Sequence, residues 1–263
     1  MRYSVRTESE AEMDIYNEKI NENLSLFQKK GSLAFGTDAY LLYAYMRSCK
    51  EKACELGAGS GVISLLCASS GKMRDIDAFE LQDDIFAVAA KNVEENGLSG
   101  KVRILHSDIR DIPAEYNGRY SVVFSNPPYL KADSGKANEN AADRISRREL
   151  HGSIYDFCAC ASRLLRFGGL FCAVYRPDRL GDLICAMREN SLEPKRLTLV
   201  YPTVSHVPCL VLIEGKKGAA AGVFTTRPLI IYKSINDMTQ ANYTDEMKYI
   251  YENGDFHEFY KKP

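Results

Sequence analysis

The residues with the clearest chemistry are Asn126-Pro127-Pro128-Tyr129. As turn chemistry alone, N-P-P stops a strand: proline donates no N–H and biases the residue before it to extended geometry. The same segment offers two acceptors, the Asn126 side-chain oxygen and the Pro127 carbonyl. Tyr129 adds a flat face on which a planar group can stack. This set suits an exocyclic amine or an amide nitrogen, whose lone pair is delocalised into the attached π-system. Bonding to its two N–H groups turns the lone pair toward an electrophile and stabilises the positive charge that grows in the transition state. Orientation is the main contribution asked of the protein, and no strong base is essential. Asn126, Pro127, Pro128 and Tyr129 are therefore the candidate catalytic residues.

A second constellation is Glu55-Leu56-Gly57-Ala58-Gly59-Ser60-Gly61, between a short apolar run and a helical one. Tight strand-to-helix turns also use glycine for packing alone, so the glycines by themselves are weak. Acidic Glu80 follows about 20 residues later, where a ribose diol would be bound. The glycines Gly57, Gly59 and Gly61 fall at every second position, with an acid in front. The dinucleotide fingerprint instead spaces them as G-x-G-x-x-G and presents a helix N-terminus to pyrophosphate. A zwitterionic amino-acid moiety suits this loop better than a diphosphate, which argues against a nicotinamide-dependent oxidoreductase.

These residues need a scaffold that brings them to one edge. From residue 50 the pattern alternates strands and helices. Strands are expected at Ala53–Leu56, Asp75–Glu80, Val102–Leu105, Tyr120–Ser125, Leu170–Tyr175, Leu197–Tyr201 and Cys209–Glu214. Helices are expected at Val62–Ser69, at Gln82–Asn96 ended by Gly97, at Glu149–Arg166 closed by Gly168-Gly169, and after Pro177. In the second of these, Ile85, Val88, Ala89, Asn92 and Val93 share one side. Alternation of this kind implies a mostly parallel sheet covered by helices on both faces. The last two strands lack a helix between them, pair as a hairpin, and leave the final strand antiparallel. Before the sheet, the acid-rich residues 8–22 read as a solvated segment, Leu24–Phe35 as a hairpin around Gly31, and Thr37 or Asp38 as the cap of a helix Ala39–Arg47. After it, Leu229–Tyr232 reads as a strand and Asp245–Tyr251 as a helix, with the tail tyrosines packed on the domain. The expected organisation is an N-terminal extension with a short hairpin (residues 1–36), one α/β domain with a seven-stranded sheet (37–217), and a C-terminal tail packed on it (218–263).

The glycine loop, Glu80 and the N-P-P-Y segment together resemble the class I S-adenosylmethionine-dependent methyltransferases, over roughly residues 33–215. That resemblance implies a Rossmann-like fold and S-adenosylmethionine as cofactor, with S-adenosylhomocysteine as product. It implies that Glu55, Gly57, Ala58, Gly59, Ser60 and Gly61 hold the methionine part. Glu80, with Leu81, would take the ribose hydroxyls, and Asp108, with Ile109, the adenine amino group. Phe35, Thr37, Asp38 and Asn126 complete the implied cofactor contacts.

The N-P-P-Y form is shared by adenine methyltransferases and by glutamine methyltransferases of peptide release factors. The wider motif also serves guanine exocyclic-amine methyltransferases of ribosomal RNA, so the motif alone leaves the substrate open. Three stretches resemble the bacterial tRNA adenine-N6 methyltransferases that modify adenosine 37 of a valine tRNA. These are Phe27-Gln28 with Phe35 and Thr37–Leu42, the basic segment Ala142–Glu149, and Pro228–Tyr232. The chain also lacks the sizeable helical N-terminal domain usual in release-factor methyltransferases. Arg144, Arg147 and Arg148 read either as a solvated helix start with surface pairs or as contacts to RNA phosphates, the second favoured by this resemblance, and Lys29, Lys30, Lys216 and Lys217 are weaker candidates to extend the patch. The loop Lys131–Asp143 would order when substrate binds. A flipped adenine needs such anchoring. A binding module that lost catalysis is the alternative of another class, and the intact N-P-P-Y argues against it.

Composition sets the outer limits. The 263 residues are 45% hydrophobic and 26% charged, ordinary globular values that exclude a disordered or fibrous chain. With 34 Lys+Arg against 35 Asp+Glu, bulk charge cannot draw the chain to nucleic acid, so any RNA contact must be a local patch. The eight cysteines form no C-x-x-C pair and sit mostly in apolar segments such as Val207–Val211, which reads as buried free thiols in a reducing cytosol. None of the four histidines pairs with Cys at a zinc spacing, so no metal is expected. Residues 1–10 show no apolar run and no stretch reaches about 18 uninterrupted apolar residues, so neither a secretory signal nor a membrane span is expected, and a cytoplasmic location is expected.

Overall fold

Residues 53–56, 76–80 and 120–125 are buried along their whole length, as strands of a parallel sheet covered on both faces must be. The computed structural model describes residues 15–21, 24–29, 36–128 and 152–261. The chain begins with an antiparallel hairpin, β1 (Ile15–Asn21) and β2 (Leu24–Lys29). Then come α1 (Thr37–Tyr45), β3 (Ala53–Leu56), α2 (Val62–Ser69), β4 (Ile76–Glu80), α3 (Asp83–Glu95), β5 (Val102–His106) and β6 (Tyr120–Ser125). Beyond residue 151 lie α4 (Ile154–Leu164), β7 (Leu165–Tyr175), α5 (Leu180–Glu189), β8 (Leu192–Tyr201), β9 (Leu210–Lys217), β10 (Phe224–Thr225), β11 (Leu229–Ile230) and α6 (Asp245–Asn253).

The sheet order is β5-β4-β3-β6-β7-β9-β8. Among the described strands of this sheet only β9 runs antiparallel to its neighbours, inserted between β7 and β8. Two further strands of two residues each, β10 and β11, extend the expected seven by pairing parallel along the outer edge of β8. Alternate residues of each strand enter opposite cores. On β7, Phe171, Ala173 and Tyr175 pack with α4 and α5, while Cys172 and Val174 pack with α1, α2 and the tail. Met247, Ile250, Phe256 and Tyr260 bury the tail in that second core. The buried Lys72 pins it there, donating to the Tyr43, Ala44 and Gly254 carbonyls at 3.0, 3.2 and 2.9 Å. No helix among the described residues is long and apolar enough to cross a membrane.

Several boundaries differ from the sequence reading. The described hairpin lies earlier than Leu24–Phe35, of which residues 30–35 lie outside the described residues. Leu24, Leu26 and Gln28 alternate inward as expected, but their partner is the charged segment that read as solvated. That segment can be a strand because four consecutive residues of it, Tyr16–Lys19, are exposed. Helix α1 is capped by Gly36, not by Thr37 or Asp38, and ends at Tyr45 instead of Arg47. The helix expected at Glu149–Arg166 is shorter among the described residues: it starts on a Ser153–Asp156 capping box and stops at Leu164. Gly168-Gly169 does not close it but lies inside β7. A Cβ on Gly169 would come within 2.9 Å of Leu165 Cδ2 and 3.1 Å of the Ser121 carbonyl, so this glycine permits close strand packing where the β6–β7 register shifts. The strand read at Leu229–Tyr232 is two residues long, and Tyr232 instead bridges to Tyr243. Of the cysteines, Cys54, Cys67, Cys158, Cys160 and Cys172 are buried. Cys185 and Cys209 are exposed, the latter because it precedes β9.

Candidate active site

Four chain segments leave the carboxyl ends of β5, β4, β3 and β6, which are adjacent in that order. Asp108 follows β5, Glu80 ends β4, the glycine loop follows β3, and Asn126 follows β6. At the usual spacing between strands, this row spans about 14 Å. A ligand in a parallel sheet binds at this edge.

Two hydrogen bonds hold the glycine loop to β4. The Ala58 N–H donates to the Phe79 carbonyl at 2.9 Å, and the Gly59 N–H donates to Glu80 Oε2 at 2.8 Å. The other Glu80 oxygen accepts from the Gln82 N–H at 2.9 Å, so Glu80 joins the loop to the start of α3. Gly59 has φ +56°, which a side chain resists, and a Cβ there would meet nothing within 4 Å among the described residues. The loop thus presents bare backbone at its tip, uncovered by any described residue.

Glu55 is turned inward. Its carboxylate is 1% exposed and accepts from the Ser64 N–H at 3.1 Å and from the Ser64 hydroxyl. Ser64 is in the first turn of α2, so Glu55 caps that helix from inside the sheet. Burial pushes its carboxyl up to about 8, against the Ser64 hydrogen bonds that oppose the rise. Glu55 therefore braces the loop from behind. Asp108 is gripped by the Arg110 guanidinium, whose Nε lies 2.9 and 3.0 Å from its two oxygens, and these hydrogen bonds hold its carboxyl below the usual range.

The acceptor side is built by β6. Ser125 Oγ donates to the Leu56 carbonyl at 2.7 Å, which ties the end of β6 to the root of the glycine loop. Asn126 Nδ2 donates to Asp38 Oδ2 at 3.2 Å, while Asp38 Oδ1 accepts from the Ala39 N–H at 2.8 Å. A carboxylate only accepts, so the Asn126 end that meets Asp38 is its NH₂. The side-chain oxygen is left facing away from Asp38. Pro127 is buried and Pro128 half-buried.

Of the proposed cofactor residues, Gly57, Ala58, Gly59, Ser60, Gly61, Glu80, Asp108 and Asn126 share this edge. Ile109 goes into the core beneath it, 7% exposed. The Leu81 carbonyl meets His106 Nε2 at 2.7 Å. Thr37 interacts with Tyr243 and Tyr251 of the tail. Lys29 ends β2, and Lys217 donates to the Ser162 and Leu165 carbonyls at 2.6 and 2.8 Å, which gives it a structural task. Phe35, Tyr129, Lys30, Arg144, Arg147, Arg148 and the loop Lys131–Asp143 lie outside the described residues. Sequence reasoning missed the partners that orient the site: Ser64 behind Glu55, Arg110 on Asp108, Ser125, and Asp38 as the partner of Asn126. Each contact except that of Arg110 joins residues of separate elements.

A family model described as "Methyltransferase small domain" matches residues 17–150. The tRNA1(Val) (adenine(37)-N6)-methyltransferase of Proteus mirabilis (strain HI4320) is 32% identical over 156 residues, 58% of this chain and 60% of the relative. The protein of the same name from Dickeya chrysanthemi (strain Ech1591) is 33% identical over 195 residues, 73% of this chain and 76% of the relative. The match thus spans about 60% of the length of the first of these curated relatives. Among solved structures, a predicted O-methyltransferase from Agrobacterium tumefaciens superposes with a TM-score of 0.65 at 19% identity, over 84% of this chain and 98% of that one. At that identity the likeness speaks for the fold alone.

Proposed function

Since this chain belongs to the methyltransferase small domain family, we propose that it transfers a methyl group from S-adenosylmethionine to the exocyclic N6 amine of adenine in a tRNA. The observation that carries this reading is the orientation of Asn126: Asp38 takes its NH₂, so its oxygen is available to accept from a substrate amine. The relatives named for adenine-37 N6 methylation of a valine tRNA favour adenine over an amide.

The acceptors at this edge suit the cofactor. Two carboxylates, Asp108 and Glu80, stand at neighbouring strand ends for an adenine amine and a ribose diol. The bare Gly59 backbone beside them admits close approach of the amino-acid end. When bound, S-adenosylmethionine supplies an electrophilic methyl on a sulfonium leaving group. The chain's own work is orientation. Asn126 Oδ1 and the Pro127 carbonyl accept the two N6–H groups and turn the nitrogen lone pair toward the methyl. As the new N–C bond takes up that lone pair, the same two acceptors stabilise the charge on nitrogen until a proton leaves to water. Tyr129 stacks on the base in this reading, and Lys29, Lys30, Arg144, Arg147 and Arg148 bind phosphates around a flipped adenine. Such an enzyme works in the cytoplasm, where tRNA is modified.

The test incubates the protein with methyl-labelled cofactor and, separately, total tRNA, ribosomal RNA and a release factor. Label in tRNA is the expected result. Label confined to the release factor would convert the reading to glutamine methylation, which uses the same acceptor pair on an amide.

A further inference from the structure

Asn92 lies in α3 with no exposure, on the face that otherwise carries Val88, Ala89 and Val93. Its amide is fully used. Oδ1 accepts from the Phe27 N–H at 2.7 Å, and Nδ2 donates to the Phe27 carbonyl at 2.9 Å and to the Ser60 carbonyl at 2.9 Å. One turn later Asn96 repeats the first half of the pattern. Its Oδ1 accepts from the Ser25 N–H at 3.0 Å and its Nδ2 donates to the Ser25 carbonyl at 2.8 Å.

The match is geometric. Four residues of α-helix rise about 6 Å, and two residues of antiparallel strand about 6.8 Å. Amides four apart on a helix can therefore address backbone groups two apart on a strand edge. Phe27 and Ser25 pair with Asn17 and Lys19 of β1. Their outward N–H and C=O groups would form an open edge, and α3 closes it as a neighbouring strand would. Of the two amides, only Asn92 also reaches the glycine loop.

We propose that Asn92 is a positioning residue that couples docking of the N-terminal hairpin to the shape of the cofactor loop. With β2 seated, both Nδ2 hydrogens have acceptors and the Ser60 carbonyl is fixed between Gly59 and Gly61. With β2 displaced, the amide loses two of its three partners and is free to rotate away from Ser60. Coupling is reciprocal, so filling the loop must also hold the hairpin. This rests on the reading of the loop as the S-adenosylmethionine site.

Asn96 provides the control, because it makes the same two bonds to the hairpin and none to the loop. Calorimetry with S-adenosylhomocysteine compares the full-length wild type with Asn92→Ala and Asn96→Ala. Asn96→Ala leaves all three Asn92 side-chain bonds in place, so β2 stays seated at Phe27 and binding is expected within about twofold of wild type. Asn92→Ala is expected to bind about tenfold more weakly, the size of a lost hydrogen bond. Amide exchange gives a second readout that needs no variant: S-adenosylhomocysteine should slow exchange at Ser25 and Phe27 in the wild type. Equal affinities of the two variants, or exchange at Ser25 and Phe27 that ignores the ligand, would overturn the coupling. Should Asn92→Ala not fold, the wild-type exchange decides. A wild type that binds no S-adenosylhomocysteine at all is a different result: it removes the cofactor reading and this proposal with it.

Discussion

Asn126 is useful to an amine only in one of its two amide orientations, and Asp38 selects it. Two variants separate this from a role in holding the cofactor. Asn126→Ala should lower kcat by two orders of magnitude or more, about the effect of losing a transition-state acceptor, with S-adenosylhomocysteine affinity near normal. Asp38→Ala leaves the amide free to flip and should lower kcat about tenfold or more, the size of a lost charge-assisted bond. A rise in the dissociation constant of S-adenosylhomocysteine with unchanged kcat would return Asp38 to the cofactor. Glu55 makes a prediction about pH. Its carboxyl titrates at about 8 in the fold against 4.5 ordinarily, because it is buried. Between those values the native chain binds more protons than the unfolded one, so stability falls as pH rises through that window and is fully present below it. Thermal unfolding across the window should show a slope in the wild type that Glu55→Gln reduces. Parallel profiles for the two proteins would refute the assignment.

At the scale of elements, glycine carries two meanings that local sequence does not separate. Gly168-Gly169 read as a helix stop, yet it lets β7 approach Ser121. Gly169→Ala should therefore destabilise the sheet by about 1–3 kcal/mol through overpacking, lowering Tm by several degrees. An unchanged Tm would mean that β7 relaxes around the added methyl. The elements from β3 to β6 were legible because their signals are local: short strands built on apolar residues, a glycine loop, a helix closed by Gly97. The placement of Glu80, Asp108 and Asn126 at strand ends follows from them, while their order across the sheet is a matter of topology. The hairpin was placed too late, since a charged strand with four exposed residues reads as solvent-facing coil. Contacts that orient the site were illegible for a different reason. Asp38 and Asn126 are 88 positions apart, Asn92 and Phe27 are 65 apart, and no periodicity connects them. One signal was present: Asn92 is a polar residue on an apolar helix face, and a buried amide implies a partner.

For the whole molecule, the formal charge of −1 combines an acid-rich N-terminal stretch with a basic segment at Arg144–Arg148. A phosphate-bound tRNA should then be released by salt despite the neutral total, with the logarithm of the affinity falling linearly with the logarithm of salt concentration. Binding insensitive to salt would remove the arginine patch from the account. The tail is part of the same body: Tyr251 stacks on Tyr40 at 4.3 Å, and Lys72 ties Gly254 to the end of α1, so α1 and the Asp38 it carries are braced from behind. The central claim is that this edge methylates the N6 amine of adenine in tRNA. Nucleoside mass spectrometry of tRNA treated with methyl-labelled cofactor tests it most directly, with Asn126→Ala alongside. Labelled N6-methyladenosine is expected from the wild type and almost none from the variant. Label recovered on guanosine, or N6-methyladenosine formed equally by Asn126→Ala, would contradict it.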